Sequence, residues 1–385
     1  MIPMSIGVRA ALAAALAVST AKAPGDPLAW AFQFASAIVS DPKDMGKAQE
    51  AVVWDYTSSS RWAEASAAAE QVEGWRRGTA YADLATALAK AGKKDEARAA
   101  IAEAEAVREG IEGWQNPRIA AHIANAYAAL GDVSKANTLS GAVAMEDAQQ
   151  YAGRTVATKA SGLAAQGNVE AAEAELAQFK GTSDIDDVWW RMVGYVEIAR
   201  QKGLPREKRL GALGEAKRAA DAIPGWKRAE ALESIAEEYD ALGAAAEAKA
   251  AVAAAEGILT PLADTMPIKA ALLSNCARTY GKIGDRPAAR RLLALSEKCA
   301  TAAQPIDRPT VYANTAASFA SLGDKEHAKQ LFDKALNEAG GLENARPRAL
   351  ALVEICRSMS KADLTLDAGT RERLQGLYAG LKDPW

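Results

Sequence analysis

The chain is poor in the groups that catalysis and metal binding most often use. It has three cysteines and two histidines among 385 residues. Cys276, Cys299 and Cys356 show no C-x-x-C spacing, and His122 and His327 lie far apart, so no zinc site is expected. An odd cysteine count fits buried free thiols; in an exported chain, one disulfide plus a spare thiol is the alternative. No nucleophile elbow, no paired-histidine zinc helix, no phosphate-binding loop and no dinucleotide fingerprint is present. The sequence therefore offers no catalytic residue, no cofactor site and no metal site, and the reading is of a protein that is not an enzyme. The formal net charge of −3 lacks the basic footprint that nucleic acid demands. No internal stretch of about 18 apolar residues exists, so no internal membrane span is expected. Phenylalanine is scarce, with five residues, and strand-favouring runs of Val, Ile and Thr are absent.

What is present is alanine, the best helix former and the side chain that lets helices pack closely. With 49% hydrophobic and 25% charged residues, the chain is expected to be folded and all-α. Its first 23 residues, MIPMSIGVRAALAAALAVSTAKA, place Arg9 before an apolar stretch from Ala10 to Val18, followed by small residues. This is the pattern of a secretory leader, with a cut after Ala21 or Ala23, the latter disfavoured by Pro24. No Cys stands at the cut, so no lipoprotein anchor is expected. An exported, periplasmic setting follows, with an uncleaved N-terminal anchor as the alternative.

One pattern then recurs along the chain: a small residue, a large one three later, Gly four further on, and Ala five beyond that. It reads Ala85, Leu88, Gly92, Ala97, then Ala124, Tyr127, Gly131, Ala136, then Ala160, Leu163, Gly167, Ala172. It returns at Ala236, Tyr239, Gly243, Ala248, at Ala277, Tyr280, Gly284, Ala289, and at Ala316, Phe319, Gly323, Ala328. A looser copy uses Val53, Tyr56, Ser60 and Ala65, and another around Val196, Ala199 and Gly203 loses register at Leu204-Pro205. Residues three apart share a helix face; the Gly suits a left-handed helix terminus; the later Ala permits close approach of a second helix. An apolar residue follows that Ala by four in most copies: Ile101, Leu176, Val252, Leu293 and Phe332. A Gly-Trp pair precedes three first helices, at Gly74-Trp75, Gly113-Trp114 and Gly225-Trp226, with Trp189-Trp190 as a relative. Recurrence in phase with the repeat predicts that these Trp pack between hairpins.

The pattern resembles the tetratricopeptide repeat family, whose period is about 34 residues. The turn positions Ser60, Gly92, Gly131, Gly167, Gly203, Gly243, Gly284 and Gly323 are spaced 32, 39, 36, 36, 40, 41 and 39 apart, so helices or loops are longer than is usual there. The resemblance implies a right-handed α-solenoid of antiparallel helical hairpins, a superhelix ending in helical caps. The domain reading is a leader at 1–23, an N-terminal cap helix at 24–45, about eight hairpins at 46–347, and a C-terminal helical cap and tail at 348–385.

The resemblance also implies a concave face lined by first helices, and hence a protein or peptide partner. Carried over by register, that face presents Arg118, His122, Asn125, Arg154, Glu197, Glu230, Glu233, Glu237, Asp240, Asn275, Arg278, Lys282 and Asn314. Glu230, Glu233, Glu237 and Asp240 form an acidic strip at spacings of three and four, suited to a basic segment or else a solvated face. Arg278 and Lys282 form a basic patch that either grips a partner or pairs with that strip. The function expected is a non-catalytic interaction scaffold. The alternatives are a self-associating envelope subunit, and an enzyme or sugar-binding solenoid that uses Trp as stacking platforms.

Overall fold

In the computed structural model, residues 25–141, 145–179 and 185–382 are described; the expected leader at 1–23 lies outside them. Among these residues the chain is all helical, and the fold is an α-solenoid. The helices are α1 (Pro27–Ser36), α2 (Pro42–Ser58), α3 (Trp62–Glu70), α4 (Arg76–Lys90), α5 (Lys94–Glu109), α6 (Gln115–Leu130) and α7 (Val133–Gly141). They continue with α8 (Met145–Ala165), α9 (Val169–Leu176), α10 (Ile185–Ala199), α11 (Arg206–Ala220), α12 (Gly225–Ala241) and α13 (Ala245–Leu259). The last are α14 (Pro267–Lys282), α15 (Arg286–Ala302), α16 (Arg308–Ser321), α17 (Lys325–Gly340), α18 (Ala345–Lys361) and α19 (Ala368–Ala379).

The hairpin turns make the recurring pattern physical, except at Gly203, which is not left-handed and where Leu204 N–H bonds to Gln201. Gly92 sits at φ 80°, in the left-handed region. The N–H of Lys93 bonds back to the carbonyl of Leu88 at 2.9 Å, and that of Gly92 to Ala89 at 3.0 Å. This double bond pattern closes a helix C-terminus on a left-handed residue. The large residue of the pattern is therefore the one whose carbonyl accepts the closing bond. Tyr127, Leu163, Tyr239, Tyr280 and Phe319 do the same for the residue after their own glycine. In the looser first copy Ser60 takes the left-handed conformation itself, at φ 57°, and Arg61 N–H bonds to Tyr56. The Ala five residues after each Gly (Ala97, Ala136, Ala172, Ala248, Ala289, Ala328) are wholly buried, where the second helix lies on the first.

The even-numbered helices α2 to α18 pack side by side in sequence order, and each odd-numbered helix from α3 to α17 packs on the first helix of its own hairpin. This gives an inner row and an outer row. The two expected caps then meet each other. α1 packs against α18 and then against α2, in the way that every outer helix packs on its own and the next inner helix. The ninth hairpin among the described residues is thus assembled from the inner helix α18 and the outer helix α1, and the array closes into a ring. The cause is legible in α1, PLAWAFQFAS, which buries Leu28, Trp30, Phe32 and Phe34. A helix apolar on all sides needs cover on all sides. The second C-terminal helix, α19, lies outside α1 and α17. Tyr378 meets the rings of Trp30 and Phe34 at 6.5 and 5.8 Å, and Arg373 bonds Asp333 at 3.0 Å.

The tryptophans behave as expected at the joints. Trp75 and Trp114, one repeat apart, meet edge-to-face at 5.6 Å. Trp190 of α10 lies directly on Gly153 of α8, where any side chain would collide with the indole. The three cysteines are free and buried, so no disulfide forms.

Candidate functional site

Ring closure turns the expected concave groove into an inner wall. The residue just after the small residue of each copy occupies one register position on successive inner helices: Trp54, Thr86, Asn125, Ser161, Glu197, Glu237, Arg278, Ala317 and Arg357. Most of these are polar, on helices whose other faces are packed with Ala and Leu.

The wall residues are joined by bonds from helix to helix. Asp83 of α4 meets Nδ1 of His122 on α6 at 2.9 Å and accepts from Nη2 of Arg154 on α8 at 2.9 Å. Burial pushes the Asp83 carboxyl up, but Arg154 and His122 overcome it and hold the group well below the usual carboxylate range. Glu197 of α10 pairs with Lys90, which reaches it from α4, and accepts from Arg200 at 2.9 Å. Arg200 also donates to Glu238 of α12 at 2.6 Å. Across α12, α14 and α16, Lys282 pairs with Glu237 at 3.0 Å, Thr279 donates to Glu233 at 3.3 Å, and Arg278 donates to Ser318 at 3.2 Å. Asn314 accepts from Ser358 of α18 at 3.0 Å.

Placement corrects part of the expected site. Arg118 lies against the paired tryptophans, its guanidinium 4.5 Å from the Trp114 ring centre and 6.0 Å from that of Trp75. It therefore stacks on the aromatic joint between hairpins. Asn125 and Glu233 are buried and do not face a segment inside the ring, because small neighbours let adjacent inner helices close over them. The acidic strip is not uniform. Burial, and then the charge of Glu237, push Glu233 up to about 7, and burial raises Glu230. Half of the strip is matched by the basic patch one helix on, while Glu230, Asp240 and Asn275 carry no side-chain partner among the described residues.

One opening in the wall lies beside the seam. A cavity of about 310 Å³ is lined by Lys47, Glu50 and Trp54 of α2, Asp83 of α4 and Arg357 of α18. Trp54 is 50% exposed. Glu50 is held by Arg76 at 2.5 Å, and Arg357 by Glu354 at 2.6 Å and by Asp55. Lys47 is exposed and has no side-chain partner among the described residues. Asp83, Trp54 and Arg357 were not picked out from sequence, although the repeat register marks all three. Asp83 stands two before Ala85, as His122 does before Ala124, and Trp54 follows Val53.

The site holds no obvious cation cage: among the described residues no group of three or more His, Cys, Asp or Glu side chains converges. Among the same residues no helix is long and apolar enough to cross a membrane.

No protein-family model and no curated protein matches the chain. Among solved structures, it is similar to a circular tandem repeat protein with novel repeat topology and enhanced subunit contact surfaces. That likeness is at 14% identity over 92% of this chain and 95% of the other, with a TM-score of 0.24.

Proposed function

We propose that the chain is a non-catalytic binding ring that holds a segment of a protein partner against its inner wall. Its hairpins are read as tetratricopeptide-like from their turn pattern. The leader-like residues 1–23 suggest an exported, periplasmic setting.

The observation that carries this reading is Trp54. Trp54 is a large aromatic half-exposed on an inner helix, in a cavity rimmed by Lys47, Glu50, Asp83 and Arg357. Tryptophans in such sites are typical anchors of protein recognition. The unpartnered Glu230 and Asp240 elsewhere on the wall favour a segment that carries basic residues. End-to-end self-association finds less support, since among the described residues α1 and α18 cover each other.

The test is capture of the partner by crosslinking in native cells, with the native chain and with Trp54→Ala. Loss of capture at unchanged helicity and melting temperature supports the reading. Undiminished capture by Trp54→Ala refutes it.

A further inference from the structure

The inner helices do not meet equally around the ring. Glycines let several of them interlock. A side chain at Gly78 of α4 would meet Ile119 of α6. On α8, one at Gly162 would meet the carbonyl of Ala128 on α6, and one at Gly153 would meet Trp190 of α10. A side chain at Gly281 of α14 would strike Leu322, just past α16. Parting such a joint forfeits close contacts along its length. The two joints where neighbouring inner helices touch least, α10 with α12 and α18 with α2, have no such glycine among the described residues. They lie nearly opposite each other, with five inner helices, α2 to α10, on one side and four, α12 to α18, on the other.

Polar groups cross both joints. At the first, Arg200 of α10 donates to Glu238 of α12 at 2.6 Å, and Nε of Arg206 donates to the carbonyl of Leu242 at 2.8 Å. The turn beside it is the copy that loses register at Leu204-Pro205, and its longer connection, residues 200–205, supplies slack. At the second, Arg357 and Arg346 of α18 reach Asp55, Asp41 and Asp44, and Gln49 of α2 donates to Ser36 of α1 at 3.0 Å. Groups of this kind exchange their partners for water at small net cost. When Asp55 withdraws, Arg357 keeps Glu354 on its own helix, at 2.6 Å.

We infer that the ring is a hinged clasp: it parts between α2 and the α18–α1 hairpin and pivots where α10 meets α12, so that α2–α11 and α12–α18 swing as two bodies. α1 goes with α18, because it packs on α18 as an outer helix packs on its own hairpin, and Tyr378 of α19 lies against its Trp30 and Phe34 rings. Residues 37–41 tether α1 to α2; five extended residues span about 17 Å, which limits the parting to the passage of a single chain. The use of this motion rests on the inner-wall reading: a partner segment without a free end reaches Trp54 through a gap in the ring. The cavity at Trp54 straddles the parting line, with Lys47 and Trp54 on α2 and Arg357 on α18. An occupant that touches both sides favours the closed state.

The motion is tested on the full chain alone, by pulsed electron paramagnetic resonance between nitroxides on introduced cysteines; the three native thiols are buried and stay unlabelled. Ser58→Cys with Lys361→Cys places labels at exposed positions at the ends of α2 and α18, across the seam. Ser321→Cys with Lys361→Cys spans α16 and α18, and Ser58→Cys with Ala91→Cys spans α2 and α4, each pair within one half. The seam pair should show a second, longer distance, and each control pair a single one. At about 1 M salt, where charges are screened beyond ~3 Å, or with Arg346→Ala, the longer population should rise about fivefold, the weight of one surface ion pair. A single seam distance under all conditions overturns the inference. So does equal lengthening of all three pairs, which is unravelling and not a hinge. No partner enters the measurement, so its failure is separable from failure of capture through Trp54.

Discussion

Arg357 of α18 donates from Nη2 to Oδ1 of Asp55 on α2 at 3.2 Å, bridging residues 302 apart in the chain. A second bond from Nε joins the same pair. Around them Arg346 reaches Asp41 and Asp44 at 3.1 and 2.6 Å, again from α18 to the start of α2. Asp26 accepts two bonds from Arg61, at 2.8 and 3.1 Å, and one from Tyr56 at 3.1 Å, which fixes the entry to α1. The seam is therefore clasped by charge at several points along an apolar contact.

Removing the central clasp should weaken the ring. Asp55 is 7% exposed, so Arg357→Ala leaves a buried carboxylate without its cation. A loss of roughly 3 kcal/mol is expected, read as a lower urea midpoint. Amide exchange should accelerate first in α1 and α18. Replacing both partners with apolar residues, Arg357→Met with Asp55→Leu, should recover much of the loss; no recovery would mean that the pair does more than neutralise itself.

Glu233 makes stability depend on pH. Its folded-state value of about 7 stands above the ordinary glutamate value of 4.5, so the folded chain holds this proton more tightly than the unfolded chain. The contribution is fully present below about 4.5 and is lost as pH rises through about 7. In Glu233→Gln, stability should decline less between pH 5 and pH 8, and at pH 8 the variant should be the more stable protein. Parallel melting curves for the two proteins across that range would contradict this.

Lys269 is a buried cation in the first turn of α14. Its ammonium donates to the carbonyls of Thr260 and Leu262 at 3.1 and 2.6 Å and to Asp264 at 2.7 Å. Lys269→Ala strands the two carbonyls and leaves Asp264 only Lys298, at 2.7 Å, and should cost about 2–4 kcal/mol in chemical denaturation. Lys269→Met, which restores the packing without the bonds, should remain well below the native chain.

The hairpin turns can be tuned in both directions. Gly92→Ala puts a β-carbon on a left-handed residue and should cost about 1 kcal/mol. Ser60→Gly relieves the same conformation and should gain about 0.5–1 kcal/mol. Thermal midpoints that move in the same direction for both variants would refute the assignment.

Much of the fold is readable from local chemistry. Leu88 and Gly92 specify a helix end that closes on itself, and Ala97 specifies a close second helix, because each acts on neighbours a few residues away. Copies of the pattern set the number and order of hairpins, and even the substitute Ser60 keeps the turn. A ninth copy escaped notice because Cys356, Met359, Asp363 and Ala368 replace its usual small residue and glycine. Asp363 nevertheless takes the left-handed conformation, at φ 51°, and Leu364 N–H bonds to Met359 at 3.1 Å.

The site was less readable. Register identified which helices line the wall, and Asp83, Trp54 and Arg357 could have been reached by applying it to every copy. It could not tell that Asn125 and Glu233 are covered, or that Arg118 stacks on Trp114. Those outcomes depend on how closely neighbouring helices approach and on which rotamers their contacts allow.

By itself the sequence determined an all-α array of hairpins, since helix formation and turn closure are set by residues near one another in the chain. Only the tertiary structure decided that the array closes, that α1 completes a hairpin with α18, and that the concave groove becomes an inner wall. Closure sums a small rotation at each joint over the nine inner helices among the described residues, so a change of a few degrees per joint separates a ring from an open coil. No local pattern of residues encodes that sum.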